Sequence, residues 1–426
     1  MPLTWEDFFG LQRFGITPNL DNIRQFCRHL GYPERDFPAV HVGGTNGKGS
    51  VVAILDAILR RAGLKVGRYT SPHLLSFGER IHVDGKPVSD EDVFSFLEDH
   101  WAFIQRNHCT FFEVATAMAL DAFSRSGVDV AVVEVGLGGT YDATSVVNTI
   151  LAAITRIDYD HTDRLGSTLP QIAANKAGIL RSNQPVVIGD QHPEVFDVLK
   201  SRAEETRSAY YRAAGIAELS SLSVSPRGIC GTARIRHSTE ALQIEHFKLP
   251  LTGSFQVENL TTALACCHLL ADSFKGVNEA AIAAGLSRVN WPGRLSELQQ
   301  HPTLILDVGH NPGAVRAVLK SVRSIWKPAR LITLFSALRD KDVAGMMSIL
   351  KDGTDRGFIV PLLPPRGLTR DEIGQMAAQI GWDAEALPTV EEGLARAMDG
   401  TGEDDLILVI GSHLLAEEVL KKLKYS

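Results

Sequence analysis

The 426-residue sequence predicts an α/β protein with two successive doubly wound domains and a small antiparallel β patch near the end of the first. Three observations support this fold class. Strand and helix patterns alternate from residue 38, the alternation restarts near Trp291, and residues 218–256 between the two series mix β-branched residues, turns and alternating polarity. We therefore predict a first domain over residues 1–295 and a second over residues 296–426.

The first series follows a helical N-terminal segment, residues 1–37, in which residues 23–30 form a helix closed by Gly31. Its strand signals are short apolar runs, and the nearly continuous run Asp129–Val135 is typical of a strand buried on both faces of a parallel sheet. The predicted elements are the strands Pro38–Val42, Lys65–Tyr69, Asp129–Val135, Thr149–Thr155 and Pro185–Ile188, and the helices Val51–Ala62, Glu258–Ala271 and Asn278–Leu286.

The second series repeats the same alternation after Trp291-Pro292-Gly293-Arg294. Its predicted strands are Thr303–Asp307, Arg330–Phe335, Gly357–Val360 and Leu406–Ile410, and its predicted helices are Pro312–Val322, Asp340–Leu350 and Thr369–Ile380. Two such domains in one chain favour a ligand in the cleft between them.

Composition excludes several classes of partner. The formal net charge is −7 and the basic residues are dispersed, so nothing indicates a nucleic-acid footprint. No apolar run approaches the ~20 residues of a membrane span, and the first residues lack the pattern of a signal peptide. The five cysteines have neither paired nor zinc-binding spacing, which favours reduced thiols. We expect a cytoplasmic protein that acts on small molecules.

A glycine-rich segment, residues 43–50, follows the first strand and opens the next helix. Backbone amides of such a loop converge on phosphates, and a helix N-terminus adds partial positive charge. Lys48 can bridge the outer phosphates and Ser50 can reach phosphate or magnesium, although Val42 replaces the usual first glycine and Gly49 follows the lysine. The later segment Asn175–Gly178 lacks the carboxylate of guanine-binding motifs, which favours adenine.

Oxygen and nitrogen ligands for magnesium are predicted at the same sheet edge. Glu134 ends a buried strand, and the carboxyl ends of parallel strands face the ligand in an open α/β sheet. His161 lies in a polar segment after another such strand, and Ser71 follows the strand Lys65–Tyr69. Taken singly, His161 also fits a surface loop and Ser71 an ordinary turn.

Motifs that occur in one order along nearly the whole chain resemble those of the Mur ligase superfamily, and within it the dihydrofolate synthase/folylpolyglutamate synthase family. They are His41–Ser50, Thr70–Leu74, Glu134–Gly139, Asp160-His161, Lys176–Ile179, Glu258-Asn259, Pro292–Arg294, Leu306–Pro312, Phe335–Asp342 and Gly411–His413. The resemblance implies a Mur-ligase-like phosphate-loop ATPase domain followed by a Rossmann-like glutamate ligase domain. Both departures in the phosphate loop are normal in this family.

The resemblance also implies roles for individual residues. Gly47, Lys48, Gly49 and Ser50 would bind the phosphates of ATP, while Asn259, Arg294 and Asp307 match positions that touch adenine, phosphate and ribose. Ser71, Glu134 and His161 match magnesium ligands, and Lys176 matches a lysine that is carbamylated. His310 either helps to deprotonate the attacking amine or stabilises the loop beside Asn311-Pro312.

A pterin-bearing substrate would lie against three segments: Thr17–Asn22, the run Thr110, Phe111, Phe112 and Glu113, and the run Tyr141, Asp142 and Ala143. This chain has Thr140 and Ser145 where the family usually shows arginine and asparagine, which leaves the accepted pterin open.

The activity implied is ATP-dependent addition of L-glutamate to dihydropteroate, to the γ-carboxyl of reduced folates, or to both, by a monomer that uses Mg²⁺. The alternatives are a cell-wall precursor ligase of the Mur type, a phosphate-loop switch protein and an inactive relative. Because the phosphate loop begins at residue 43, no room is left for the uridine-nucleotide domain of cell-wall ligases.

Overall fold

Parallel strands in the first half of the chain bring several strand ends to one edge. The computed structural model describes residues 2–14, 19–236 and 241–424. In this part of the chain, eight strands form the first sheet, in the order β4-β3-β2-β5-β1-β6-β7-β8. They are β1 (Ala39–Gly43), β2 (Val66–Tyr69), β3 (Ile81–Val83), β4 (Lys86–Pro87), β5 (Val130–Glu134), β6 (Thr149–Ile154), β7 (Val186–Ile188) and β8 (Tyr210–Arg212).

Helices cover both faces of this sheet. In chain order they are α1 (Trp5–Gly10), α2 (Asp21–His29), α3 (Lys48–Arg61), α4 (Asp90–Arg106), α5 (Phe111–Ser126), α6 (Thr162–Leu165), α7 (Leu169–Lys176), α8 (Pro193–Glu205), α9 (Ala213–Ile216), α10 (Phe255–Ser273) and α11 (Glu279–Leu286). Alternate residues of β5 enter different cores: Val132 packs in the cluster of α3, α10 and α11, and Val133 packs with α5. The prediction of a strand buried on both faces is confirmed.

The register of three parallel strands positions the site. Val42 of β1 pairs with Glu134 of β5, and Tyr69 of β2 pairs with Val133. The glycine-rich loop after β1, Glu134 and the segment after β2 therefore meet at the carboxyl edge of the sheet.

Helix α3 is fixed in the core by apolar contacts and by one buried ion pair. Eleven of its fourteen residues are buried, so little of the helix faces solvent. Asp56 is 1% exposed and accepts hydrogen bonds from Arg60 (3.2 Å) and from Arg68 of β2 (3.3 Å). The pair ties the helix that follows the glycine-rich loop to its neighbouring strand.

The antiparallel patch predicted for residues 218–256 is confirmed. Its three strands in the described chain are β9 (Ala217–Ser225), β10 (Gly228–Ile235) and β11 (Leu242–Leu249), with β10 in the centre. Their apolar side chains, among them Ile229 and Phe247, join the core cluster of α3 and α10.

A second sheet follows, with six strands in the described residues, ordered β12-β13-β17-β14-β15-β16. Its strands are β12 (Ser296–Gln300), β13 (Thr303–Leu306), β14 (Leu331–Phe335), β15 (Arg356–Ile359), β16 (Ala384–Ala386) and β17 (Leu406–Ile410). Its helices are α12 (Pro312–Ile325), α13 (Val343–Gly353), α14 (Arg370–Gln379), α15 (Val390–Met398) and α16 (His413–Lys424). Core clusters on both faces confirm the Rossmann-like arrangement, and the division at residues 295 and 296 stays a prediction.

The predicted strands mostly agree with the structure to within one or two residues at each end, but several elements were not predicted. The hairpin β3–β4, the long helices α4 and α5, and the antiparallel edge strand β12 are additions. The turn of the hairpin contains Asp84 and Gly85, both at positive φ, as a two-residue turn with the twist of its strands requires. In the described chain, no helix combines the length and apolarity needed to cross a membrane.

Replacing Asp56 with alanine is expected to lower the stability of the first domain by about 3–5 kcal/mol, because Arg68 would keep a buried charge without its carboxylate. Thermal unfolding of the variant should begin several degrees below that of the wild type. The exposed Asp352→Ala serves as the control, and an unchanged midpoint for Asp56→Ala would contradict the assigned role.

Candidate active site

The glycine-rich loop is held rigidly by its own neighbours. The amides of Thr45 and Asn46 donate to the carbonyl oxygen of Arg156 (2.9 and 3.1 Å). The Thr45 hydroxyl donates to the Asp158 carbonyl oxygen and accepts from the Asp158 amide, both at 3.1 Å. Helix α3 then begins at Lys48, and helix geometry leaves its first amides without intrahelical acceptors. These amides are suited to an anion.

Gly47 is required at its position by both conformation and space. Its φ is +93°, and a β-carbon there would lie 2.0 Å from the side-chain oxygen of Asn259. Asn259 is buried and donates from Nδ2 to Gln256 (2.8 Å). The structure thus brings Asn259, a predicted nucleotide residue, against the loop.

Lys48, Glu134 and Ser71 form a compact polar group at the sheet edge. The Lys48 ammonium lies 4.0 Å from Glu134 Oε1, and the Ser71 amide donates to Glu134 Oε2 (3.1 Å). Burial raises the pKa of Glu134, while Lys48, the Ser71 amide and Arg294 act in the opposite direction. Glu134 is 5% exposed, so its charge depends on these cations and on any metal that binds there.

The buried hydroxyl of Ser50 supports the assignment of this edge to phosphate and magnesium. Ser50 is 1% exposed, and its Oγ has no hydrogen-bond partner among the described residues. A buried hydroxyl without a hydrogen-bond partner costs free energy unless a bound ligand supplies that partner. Its place in the first turn of α3, beside the free amides, fits a phosphate oxygen or a metal-bound water.

Lys176 lies beneath the loop, and its surroundings favour the neutral amine. Its ammonium donates to the carbonyl oxygen of Gly44 (2.8 Å), and the residue is 5% exposed. Burial lowers the pKa of Lys176 from 10.5 to about 7, and the charge of Lys48 adds to this effect. A buried amine with such a pKa can react as a nucleophile near neutral pH.

A four-residue cluster joins the two sheets across the cleft. Lys341, whose side chain is 5% exposed, contacts Asp160 Oδ1 (2.8 Å) and His161 Nε2 (2.9 Å). His310 Nε2 lies 3.5 Å from Asp160 Oδ2. Burial would raise the pKa of Asp160, but His310, Lys341 and His161 together hold it well below its usual range. Burial also lowers the pKa of His161, to about 4, so this ring is neutral at neutral pH.

Sequence reasoning did not assign a role to Lys341 or Asp160. Both stand in motifs that carry the family resemblance, Phe335–Asp342 and Asp160-His161, but contacts across 181 residues are invisible without the fold. His310 donates from Nδ1 to the Val308 carbonyl oxygen of its own loop (3.0 Å), while Nε2 faces Asp160 across the cleft.

Arg294 and Asp307 lie where the chain passes from the first sheet to the second. Asp307 is buried and accepts from the amides of Leu295 (3.0 Å) and Gly309 (2.7 Å), so its carboxylate organises the linker. Burial lowers the pKa of the partly buried Arg294, and the nearby carboxylates of Asp307 and Glu134 act in the opposite direction. Contact of Asp307 with a ribose stays a prediction.

The predicted substrate residues on α5 have clear structural contacts. Thr110 and Glu113 cap the helix reciprocally, at 2.7 Å and 3.3 Å. Asn22 Nδ2 lies 3.4 Å from Glu113, whereas Thr17 lies outside the described residues. Phe111 faces the guanidinium of Arg80 (5.2 Å), and Phe112 packs on Gly136, where a β-carbon would lie 2.3 Å from the ring.

The loop that carries Tyr141, Asp142 and Ala143 is rigid apart from one exposed ring. Asp142 accepts from the amides of Leu137 (2.7 Å) and Thr144 (3.0 Å), and Ala143 is buried. Tyr141 is 56% exposed, which leaves its ring available to a ligand.

Thr140 and Ser145, the two residues that depart from the family pattern, each make a hydrogen bond to a backbone carbonyl oxygen nearby. Thr140 donates to the Asn175 carbonyl oxygen (3.1 Å), and Ser145 donates to the Gly139 carbonyl oxygen (2.6 Å).

The structure therefore brings together the loop, Lys48, Ser71, Glu134 and Lys176 on one side of the cleft, and places His310 and Lys341 against Asp160 and His161. Among the described residues, no three His, Cys, Asp or Glu side chains converge into a metal cluster. Magnesium commonly keeps several waters and takes only one or two carboxylates, so the set Ser71, Glu134 and His161 stays a prediction.

Comparisons with known proteins agree over most of the chain. The Mur ligase middle domain matches residues 42–267, and the Mur ligase glutamate ligase domain matches residues 293–413. A dihydrofolate synthase/folylpolyglutamate synthase of Bacillus subtilis is 30% identical over 426 residues, covering 97% of each chain.

A probable bifunctional folylpolyglutamate synthase/dihydropteroate synthase of Halobacterium salinarum is 34% identical, and the match covers 94% of this chain but 49% of that relative. The chain thus spans about half the length of the Halobacterium protein.

A solved structure of a bifunctional folylpolyglutamate synthase/dihydrofolate synthase with Mn, AMPPNP and L-glutamate bound superposes with a TM-score of 0.81 at 31% identity, covering 98% of this chain and 97% of that one. Sequence and structure together place this chain in the Mur ligase family, in its dihydrofolate synthase/folylpolyglutamate synthase branch.

Proposed function

We propose that this protein is an ATP-dependent ligase that joins L-glutamate through an amide bond to dihydropteroate, to the γ-carboxyl of a reduced folate, or to both. The observation that carries the proposal is the group at the sheet edge, where Lys48 faces Glu134 beside free helix amides and the second sheet supplies His310 and Lys341 opposite. The solved relative that holds Mn, AMPPNP and L-glutamate supports these ligand classes.

The chemistry requires activation of a carboxylate. A carboxylate is a poor electrophile because its leaving group would be oxide, whereas transfer of the γ-phosphoryl group of ATP gives an acyl phosphate with phosphate as the leaving group. The amine of glutamate then attacks the carbonyl carbon, and the tetrahedral intermediate expels phosphate. The net change is one amide bond formed and one ATP converted to ADP and phosphate.

The residues at the edge stabilise the charge that moves in these steps. Lys48 and the first amides of α3 face the phosphates, and Arg294 adds a third positive group near Glu134. Glu134, Ser71 and His161 would hold the metal, which when bound neutralises charge on the phosphate oxygens. We assign binding of the nucleoside part of ATP to Asn259, which lies beside Gly47, and to Asp307 in the linker.

The second sheet would close the site and exclude water, which otherwise hydrolyses an acyl phosphate. For His310, the hydrogen bond from Nδ1 to the Val308 carbonyl oxygen supports the loop-stabilising interpretation over that of a free base. We assign contact with the pterin-bearing substrate to Phe111, Phe112 and the exposed ring of Tyr141. The shape of that surface is set by the neighbouring residues Thr110, Glu113, Asp142 and Ala143.

A cytoplasmic monomer is part of the same proposal. The five cysteines are all free, and four of them are buried, which suits a reducing compartment. The names of the relatives support a folate ligase over a cell-wall precursor ligase.

Size-exclusion chromatography with light scattering would establish the oligomeric state.

Phosphate release by the purified protein tests the function directly. With ATP, Mg²⁺ and L-glutamate, release should depend strictly on a pterin acid, and dihydropteroate compared with tetrahydrofolate should show which acceptor is used. Phosphate release that ignores both acceptor and glutamate would instead indicate a phosphate-loop switch.

Lys48→Ala is expected to reduce glutamate-dependent turnover by about 10³-fold or more, because a preorganised positive group facing the phosphates is lost. Circular dichroism should not change, because the Lys48 ammonium contacts the Thr45 carbonyl oxygen and, at 4.0 Å, Glu134, both at the sheet edge and not in the apolar core. The exposed Lys275→Ala is the control. Turnover near the wild-type rate would refute the phosphate role.

Lys176 is expected to form a carbamate, with its neutral amine adding to CO₂ and releasing one proton. Because burial lowers the pKa of Lys176 to about 7, the reactive amine increases as pH rises through 7. Protein kept in ¹³C-bicarbonate should therefore show a carbamate carbon signal by NMR that is larger at pH 8 than at pH 6.

The Lys176→Ala variant should lack that signal and lose activity, and short carboxylate anions should restore part of the activity. Lys200→Ala should behave as the wild type. Full activity of Lys176→Ala without added anions would contradict the carbamate assignment.

A further inference from the structure

Two asparagine side chains connect the phosphate loop directly to the second sheet's domain. Asn311 Nδ2 donates to Asn46 Oδ1 (2.9 Å), and Asn46 Nδ2 lies 3.4 Å from Asn311 Oδ1, across 265 residues of sequence. Asn311 is 2% exposed and Asn46 is partly buried, so little of this contact faces solvent. We refer to the pair as the amide bridge.

On the loop side, the amide bridge starts from a residue whose backbone is fixed. The Asn46 amide donates to the Arg156 carbonyl oxygen, as does its neighbour Thr45. Gly47 follows at a φ of +93° and turns the chain into α3. The side chain of Asn46 therefore reaches from a fixed loop to Asn311 in the domain of the second sheet.

On the other side, the amide bridge ends at a residue that fixes a helix and a histidine. Asn311 Oδ1 accepts from the Ala314 amide (2.9 Å), which caps α12. The preceding residue, His310, lies against Asp160. The position of Asn311 thus sets the position of His310 and of the first turn of α12 relative to the loop.

Around the amide bridge, the first turn of α12 packs closely against the segment that contains Asp158. A β-carbon at Gly313 would lie 1.9 Å from the Asp158 carboxylate. The amide of Asp158 donates to the Thr45 hydroxyl, and the Asp158 carbonyl oxygen accepts from it. The first turn of α12 therefore touches the same segment that holds the phosphate loop.

We propose that the amide bridge is a positioning device that sets the domain of the second sheet in register with the phosphate loop, so that the glutamate amine meets the activated carboxylate. This inference rests on the proposed function and adds two positioning residues to it. Neither asparagine takes part in the chemistry. Small errors in the placement of reacting groups reduce rates by large factors, so loss of the bridge should lower kcat more than it weakens nucleotide binding.

The test uses a substitution that separates the bridge from the helix cap. Asn311→Ser keeps a good N-cap residue but is too short to reach Asn46. We expect kcat to fall by roughly 10-fold or more, with an unchanged Kd for ADP. Asn278→Ser is the matched control, because Asn278 caps α11 through the Ala281 amide (3.0 Å). A wild-type kcat for Asn311→Ser would overturn the proposal.

A double-mutant cycle tests the coupling itself. Asn46→Ala and Asn311→Ser should not add, because the second change removes a partner that is already lost. The double variant should be no slower than the slower single variant. Fully additive losses in kcat would show that the two residues act separately and would overturn the proposal.

Small-angle X-ray scattering with ADP gives a readout that needs no turnover. The distribution of interatomic distances should broaden in Asn46→Ala, in Asn311→Ser and in the double variant, but not in Asn278→Ser. Identical distributions in all proteins would overturn the proposal. If the wild type releases no phosphate with any pterin acid, the proposed function fails, and the scattering result still decides the role of the bridge.

Discussion

The parallel pairing of β1 with β5 is the constraint on which the site depends. It places the residue before the glycine-rich loop beside Glu134, so that a phosphate cradle and a metal-holding carboxylate share one strand edge. Helix α3 has its apolar side chains in the core and its first amides at that edge. A shift of one residue in this register would point Glu134 to the opposite face.

The same edge brings basic side chains and carboxylates together in a place that excludes much of the solvent. Lys48, Lys176, Arg294 and Lys341 lie near the carboxylates of Glu134, Asp160, Asp142 and Asp307. Burial, and after it the charge of Lys48, lowers the pKa of Lys176, because each disfavours the charged ammonium. A triphosphate bound at this edge would place its negative charge next to Lys48 and the first amides of α3.

Much of the fold was predictable because its signals are local. Continuous apolar runs gave β1, β5, β6 and β17 to within one residue at each end, and the loop with its lysine was readable as a motif. The Asp84-Gly85 turn and the Thr110–Glu113 cap are also local signals in the sequence, of a hairpin and of a helix start. Lys341 against Asp160 and Asn46 against Asn311 were not predictable, because only the packed domains bring them together.

We propose that the γ-phosphoryl group of ATP is transferred to a carboxylate at this edge of the sheet. An oxygen-isotope measurement tests that transfer most directly. Dihydropteroate or tetrahydrofolate labelled with ¹⁸O in the reacting carboxylate is turned over with ATP and glutamate, and the released phosphate is analysed by mass spectrometry. An acyl phosphate predicts one ¹⁸O atom per phosphate, since the carboxylate oxygen leaves with phosphorus. Amide formation with unlabelled phosphate would contradict the account.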